Sequence, residues 1–83
     1  MKKYVSNYLK YFGYKLQSDI NCTVCRLPAV DLHHIQYKSQ GGGDEVNNIV
    51  SLCRTCHEKA HKGVLTREYL QDLQDNKIAK YKY

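Results

Sequence analysis

The sequence predicts a small α+β domain in which two zinc knuckles, each a Cys-x-x-Cys turn, join a pair of short strands to flanking N- and C-terminal helices. The chain has 83 residues, and a core of that size contributes only about 3–5 kcal/mol, so a disulfide, a metal or a partner is expected to stabilise it. Two Cys-x-x-Cys pairs, separated by 27 residues, supply that stabilising element. We expect one domain over residues 1–83, made of an N-terminal helical extension (1–21), a core (22–62) and a C-terminal helix (63–83).

The N-terminal extension has the apolar spacing of an amphipathic helix over residues 3–16. Its apolar side chains form two neighbouring stripes, Tyr4, Tyr8 and Tyr11 in one and Val5, Leu9 and Phe12 in the other. Gly13 predicts that the helix ends there or shortly afterwards. We interpret the tyrosines as packing on the domain with their hydroxyls pointing outward, and stacking on nucleic-acid bases is the alternative.

The cysteines Cys22, Cys25, Cys53 and Cys56 have the spacing of a structural zinc site, because two tight turns bring four thiolates to one tetrahedral ion. The chain starts with charged residues that no apolar stretch follows, so we expect no signal peptide and a reducing compartment. Two disulfides, free buried thiols and a redox pair remain as alternatives. No apolar run approaches the length of a membrane span.

Two short strands are predicted between the knuckles. Residues 29–35 alternate apolar and polar side chains, and a second apolar run covers residues 49–52. The segment between them contains three consecutive glycines, which predict a flexible loop over residues 39–44. Since no Gly-Lys-Ser/Thr follows the glycines, this loop is not expected to be a phosphate-binding P-loop.

Two helices complete the chain. Residues 53–62 are predicted to run from the second knuckle into a short helix that Gly63 ends. Thr66 is a good N-cap for a last helix over residues 67–80. The apolar side chains of that helix are Tyr69, Leu70, Leu73 and Ile78.

The four histidines are concentrated between the knuckles and in the short helix. His57 and His61 are four residues apart and therefore share one helix face, close enough to bind one ion. His33 and His34 are adjacent in a strand, so they point to opposite faces and only one of them is expected to join that ion. This predicts a second metal site of His33, His57 and His61, with His34 free for proton chemistry. The alternatives are surface or capping histidines, or a histidine that replaces a cysteine in the zinc site.

The order and spacing of these motifs resemble the HNH endonuclease family, which has the ββα-metal (His-Me finger) fold. The match covers residues 22–62, and the His, Asn and His that give the family its name correspond to His34, Asn48 and His57. The matching segments are Cys22 to Cys25, Asp31-Leu32-His33-His34-Ile35, the glycine loop, Asn48-Ile49-Val50, Leu52-Cys53, Cys56-His57 and His61.

The resemblance implies a role for each matching residue. His34 corresponds to the general base, and Asn48 to the residue that fixes the loop and helps to hold that base. His33, His57 and His61 correspond to the ligands of one catalytic divalent ion, which could be Mg²⁺, Mn²⁺, Ni²⁺ or Zn²⁺, in addition to the structural Zn²⁺.

Two features beside these residues allow more than one interpretation. Asp31 either orients a histidine ligand or is a solvated carboxylate at the strand edge. The net charge of +5, of which residues 1–21 carry four Lys against one Asp, favours a nucleic-acid partner, although a solvated face is the alternative. The candidate nucleic-acid contacts are Lys2, Lys3, Lys10, Lys15, Lys38 and Arg54.

The resemblance, together with the histidines and the positive charge, implies a metal-dependent DNA endonuclease that hydrolyses phosphodiester bonds. We expect it to act on double-stranded DNA in the cytoplasm of a bacterial or phage-infected host cell. A non-catalytic zinc-ribbon nucleic-acid-binding module is the alternative, but it gives no reason for the histidines. A larger phage or host protein is a further candidate partner, no membrane partner is expected, and the oligomeric state is left open.

Overall fold

A computed structural model describes residues 2–82, and Met1 and Tyr83, at the two ends of the expected domain, lie outside the described residues. The helices and strands are α1 (Lys3–Phe12), β1 (Asp31–His34), β2 (Ile49–Leu52), α2 (Arg54–His61) and α3 (Arg67–Lys82). β1 and β2 form a two-stranded antiparallel sheet, and α2 follows β2 directly. The predicted α+β class and the ββα order of a ββα-metal fold are therefore confirmed.

The first helix is shorter than the predicted span of residues 3–16, because α1 ends at Phe12. Gly13 takes a left-handed conformation with a φ of 72°, which turns the chain out of the helix. The amide of Tyr14 then donates to the carbonyl of Leu9 at 2.9 Å, and this bond closes the last turn. The prediction past Phe12 was wrong because the glycine ends the helix at once rather than several residues later.

The hairpin register determines which residues lie at each end of the sheet. Asp31 pairs with Leu52 at one end, and His34 pairs with Ile49 at the other. β1 is therefore shorter than the predicted strand of residues 29–35, while β2 has the predicted bounds. As a result, His34 lies beside the beginning of β2. The second knuckle, which starts at Cys53, follows Leu52 at the opposite end of the sheet.

The core consists of two buried apolar clusters, one on α1 and one around the cysteines. The first cluster comprises Val5, Tyr8, Leu9, Phe12, Ile20, Leu32 and Ile49. The second cluster comprises Cys22, Ile35, Val50, Leu52, Cys53, Cys56 and Leu70. β2 contributes to both clusters, Ile49 to the first and Val50 and Leu52 to the second, so this strand joins the N-terminal helix to the cysteine region.

One tyrosine differs from the predicted outward orientation. Tyr8 is fully buried, and the ammonium of Lys77 on α3 donates to its hydroxyl at 2.9 Å. The same ammonium lies 4.7 Å from the centre of the Phe12 ring, and burial lowers the pKa of Lys77. This partly buried contact attaches α3 to α1.

The last two helices begin as predicted. The Cys53 sulfur accepts from the Cys56 amide at the start of α2, and the Thr66 hydroxyl oxygen accepts from the Tyr69 amide at 3.1 Å at the start of α3. α3 buries Leu70, whereas Tyr69 from the predicted apolar set is 46% exposed. None of the helices in the described chain is long and apolar enough to cross a membrane.

Candidate functional site

The four cysteines converge at one point. Their sulfurs all lie within 4.8 Å of one another, and those of Cys25 and Cys53 are 3.4 Å apart. A tetrahedral zinc ion with Zn–S bonds of about 2.3 Å places its sulfurs about 3.8 Å apart, so the donor set fits zinc. All four cysteines are free thiols, which excludes the disulfide alternative in this structure.

The thiols differ in how readily they ionise. Burial opposes ionisation of Cys22, but hydrogen bonds from backbone amides, foremost that of Cys25, outweigh it and lower the pKa to about 7. Burial and the neighbouring sulfurs raise the pKa of Cys56 above its ordinary value. The Cys22 thiol therefore ionises more readily than the Cys56 thiol, and a zinc ion held here would be bound by the deprotonated sulfurs.

Ser51 on β2 ties the first knuckle to the sheet. Its backbone carbonyl accepts from the Thr23 amide at 2.9 Å, and its buried hydroxyl donates to the carbonyl of Asn21 at 2.8 Å. Because β2 leads directly into Cys53, this strand holds both knuckles at one end of the sheet.

Three histidines form a second cluster, separate from the sulfurs. The nearest ring nitrogens of His33, His57 and His61 lie within 4.8 Å of one another, and the Nε2 atoms of His57 and His61 are 3.0 Å apart. Zinc–imidazole bonds of about 2.0–2.1 Å would place such nitrogens about 3.3 Å apart, so this donor set also fits a divalent ion. The sulfurs group without a histidine, which argues against the alternative that a histidine replaces a cysteine.

The surroundings of the cluster affect the ionisation of His33 and the orientation of His57. His33 is 7% exposed, and burial followed by the charges of His57 and His61 lowers its pKa to about 4, so it is neutral at pH 7. Asp31 places a carboxylate oxygen 3.3 Å from Nδ1 of His57. That contact favours the orienting interpretation of Asp31, because it directs Nε2 of His57 toward the cluster.

His34 is on the face of β1 opposite to that of His33. It nevertheless borders the same cleft of about 310 Å³ as the three clustered histidines. Its ring lies 4.6 Å from that of Tyr4 on α1, in an edge-to-face arrangement. Its Nε2 atom lies 2.9 Å from a carboxylate oxygen of Asp44. Hydrogen bonds from His34 and then from Lys38 hold the pKa of Asp44 below its ordinary value, so this carboxylate is ionised at pH 7.

Asn48 closes the loop that follows β1. Its side-chain oxygen accepts from the Gln36 amide at 2.9 Å, and its Nδ2 donates to the carbonyls of Gln36 at 3.0 Å and Gly43 at 2.8 Å. These three bonds connect the two ends of the loop. One end is Gln36, two residues after His34, and the other is Gly43, directly before Asp44. The geometry therefore suits the loop-fixing role that the resemblance implies for Asn48.

We expect Asn48→Ala to lower stability by about 1–3 kcal/mol, because it removes three side-chain hydrogen bonds that hold the loop. Thermal melting followed by circular dichroism measures this change. Asn47→Ala is the matched control, since Asn47 is the exposed neighbour. Equal melting temperatures for the two variants would contradict the loop-fixing role.

The predicted cationic contacts lie at different distances from the cleft. Lys38 lines it and is paired with Asp44 at 3.2 Å, while Lys2 lies 6.0 Å from the ring centre of Tyr4, another lining residue. The other four predicted contacts are exposed and outside the cleft lining, namely Lys3, Lys10, Lys15 and Arg54.

Sequence reasoning did not assign Tyr4 or Tyr37 to the site, and it expected Asp44 near the cleft without giving it a role there. The Tyr37 ring centre lies 5.9 Å from that of His33, and the Arg67 guanidinium lies 5.0 Å from the centre of Tyr37. The position of Asp44 directly after three glycines was the available signal, because a tight loop can bring it back to the strand it left.

The comparisons with known proteins concern this same region. The sequence model of the family described as HNH endonuclease matches residues 22–63. The Type IV methyl-directed restriction enzyme EcoKMcrA of Escherichia coli (strain K12) is 35% identical over 49 residues, which are 59% of this chain and 18% of that enzyme. Anaredoxin of Nostoc sp. (strain PCC 7120 / SAG 25.82 / UTEX 2576) is 46% identical over 33 residues, 40% of this chain and 43% of that protein.

The match thus spans less than half the length of either relative. No solved structure gave a significant match.

Proposed function

The chain belongs to the HNH endonuclease family, and from this we propose that it is a metal-dependent DNA endonuclease that hydrolyses phosphodiester bonds. The observation that carries the proposal is the cleft in which three imidazoles, with nitrogens within 4.8 Å of one another, lie beside a fourth histidine. A zinc-ribbon that only binds nucleic acid needs the sulfur cluster but has no use for this histidine arrangement.

Each residue of the proposed site has a defined task. His34 accepts a proton from the water that attacks phosphorus, and Asn48 holds the loop beside it. His33, His57 and His61 hold a divalent ion, with Mg²⁺, Mn²⁺, Ni²⁺ and Zn²⁺ as the candidates. When bound, that ion supplies positive charge at the phosphate and at the leaving 3′ oxygen.

Double-stranded DNA is the proposed substrate, and two observations support the choice of DNA. The similarity to a restriction enzyme links the matched segment to a DNA-directed protein. The formal net charge of +5 favours a polyanion, and Lys38 and Lys2 place positive charge at or next to the cleft. Structural zinc at the four cysteines is proposed to hold the knuckles.

The test is incubation of supercoiled plasmid with the purified protein and Mg²⁺, Mn²⁺ or Ni²⁺. We expect nicked or linear product, no product with chelator, and a rate lower by at least about 100-fold for His34→Ala, as for loss of a general base. Lys59→Ala is the matched control, because Lys59 is exposed on α2 and outside the cleft lining.

Two results would contradict the proposal in different ways. Cleavage that survives His34→Ala unchanged would exclude His34 as the base. Firm DNA binding without cleavage in any of these metals would favour the binding module instead.

A further inference from the structure

The carboxylate of Asp44 makes two directed contacts at the edge of the cleft. One oxygen lies 2.9 Å from Nε2 of His34, and the other lies 3.2 Å from the ammonium of Lys38. Because each oxygen has its own partner, the plane of the carboxylate is fixed relative to the imidazole ring. An exposed acidic group without such partners would leave the ring free to turn.

The loop is folded tightly enough to hold Asp44 in this position. The Asn48 amide donates to the carbonyl of Gly43, the residue directly before Asp44. At Gly42 an added Cβ would overlap the backbone carbonyl of Gln36, so only glycine allows the two chain segments to approach this closely. The loop therefore brings Asp44, ten residues after His34, back to the His34 ring.

We propose that Asp44 is a positioning residue that fixes the tautomer and the orientation of the His34 imidazole; this inference rests on the proposed function of His34 as general base. A carboxylate only accepts hydrogen bonds, so it holds the ring proton on Nε2. The lone pair of His34 is then on Nδ1, and Nδ1 is the atom that accepts the proton from water. The proton on Nε2 stays where it is, and Asp44 remains ionised beside the imidazolium that forms.

The direct test is the ring tautomer of His34, measured by long-range proton–nitrogen NMR in the zinc-loaded protein without DNA or added divalent ion. We expect the parent to show the Nε2–H form and Asp44→Ala to show a mixture of both tautomers. Lys38→Met should keep the Nε2–H form, because it leaves the Asp44 contact with the ring in place. An unchanged tautomer in Asp44→Ala would overturn the inference whether or not the protein cleaves DNA.

The kinetic test uses Asp44→Asn, which keeps the size of the side chain and removes its charge. We expect kcat for plasmid cleavage to fall by at least about tenfold, with little change in KM or melting temperature. Asp44→Glu should recover part of the loss, and Glu45→Gln, at the exposed neighbouring residue, should behave as the parent.

The outcomes separate the two proposals. Equal kcat for Asp44→Asn and an active parent would overturn the role of Asp44 alone. A parent that does not cleave would overturn the proposed function and the catalytic part of this inference, while NMR would still decide whether the carboxylate fixes the ring.

Discussion

Replacing Cys22 by serine is expected to unfold the protein. The Cys22 side chain is fully buried in the second apolar cluster, and the variant loses one of the four sulfurs proposed to bind zinc. Structural zinc contributes about 10–16 kcal/mol in small metal domains, whereas the whole stability of a domain is about 5–15 kcal/mol. Circular dichroism melting and the zinc content per chain measure the effect.

The matched control for this experiment is Leu27→Ser, which introduces the same residue close to the same knuckle. Leu27 is 61% exposed, so we expect this variant to melt close to the parent and to retain zinc. If Cys22→Ser melted at the parent's temperature with a full complement of zinc, the structural role of the cluster would be wrong.

Replacing His57 by alanine is expected to abolish cleavage while leaving the protein folded. His57 contacts Asp31 through Nδ1 at 3.3 Å and His61 through Nε2 at 3.0 Å, so its removal takes away one of the three clustered imidazoles. We expect a fall in cleavage rate of at least about 100-fold. Loss of a residue that only supports a metal ligand already lowers activity or metal affinity by about 10–100-fold, and His57 is proposed as a ligand itself. Alanine favours helix, so α2 should persist.

Two measurements on the zinc-loaded protein decide this prediction. Plasmid cleavage gives the rate, and calorimetric titration with Mn²⁺ or Ni²⁺ shows whether the second ion still binds. Glu58→Ala is the control, since Glu58 is exposed, next to His57 on α2 and outside the cleft lining. Metal binding and cleavage at parental levels in His57→Ala would mean that the clustered histidines hold no catalytic ion.

The features that sequence predicted well depend on short-range spacing. The two knuckles have a spacing that brings sulfurs together, and His57 and His61 share a helix face because they are four residues apart. The opposite orientations of His33 and His34 follow from strand geometry in the same way. Strand β2 and the Thr66 cap were likewise determined by a few neighbouring residues.

The features that sequence missed depend on the path of the chain over longer distances. The contact between Asp44 and His34 requires the whole loop to fold back, and no periodicity in the sequence encodes that path. The buried hydroxyl of Tyr8 depends on Lys77, which is 69 residues away. The end of α1 at Phe12 depends on the neighbouring Gly13, but the sequence allowed the helix either to stop at that glycine or to continue beyond it.

The hydrogen bonds of Asn48 also affect how the loop can vary in length. The hairpin is fastened at one end by the sulfur cluster and at the other by the Asn48 amide, which holds Gln36 and Gly43 together. The segment between those two residues therefore starts and ends at fixed points. Since doubling the length of a flexible segment costs only about 0.6 kcal/mol of loop-closure entropy, insertions between Ser39 and Gly41 should leave the register of the hairpin unchanged.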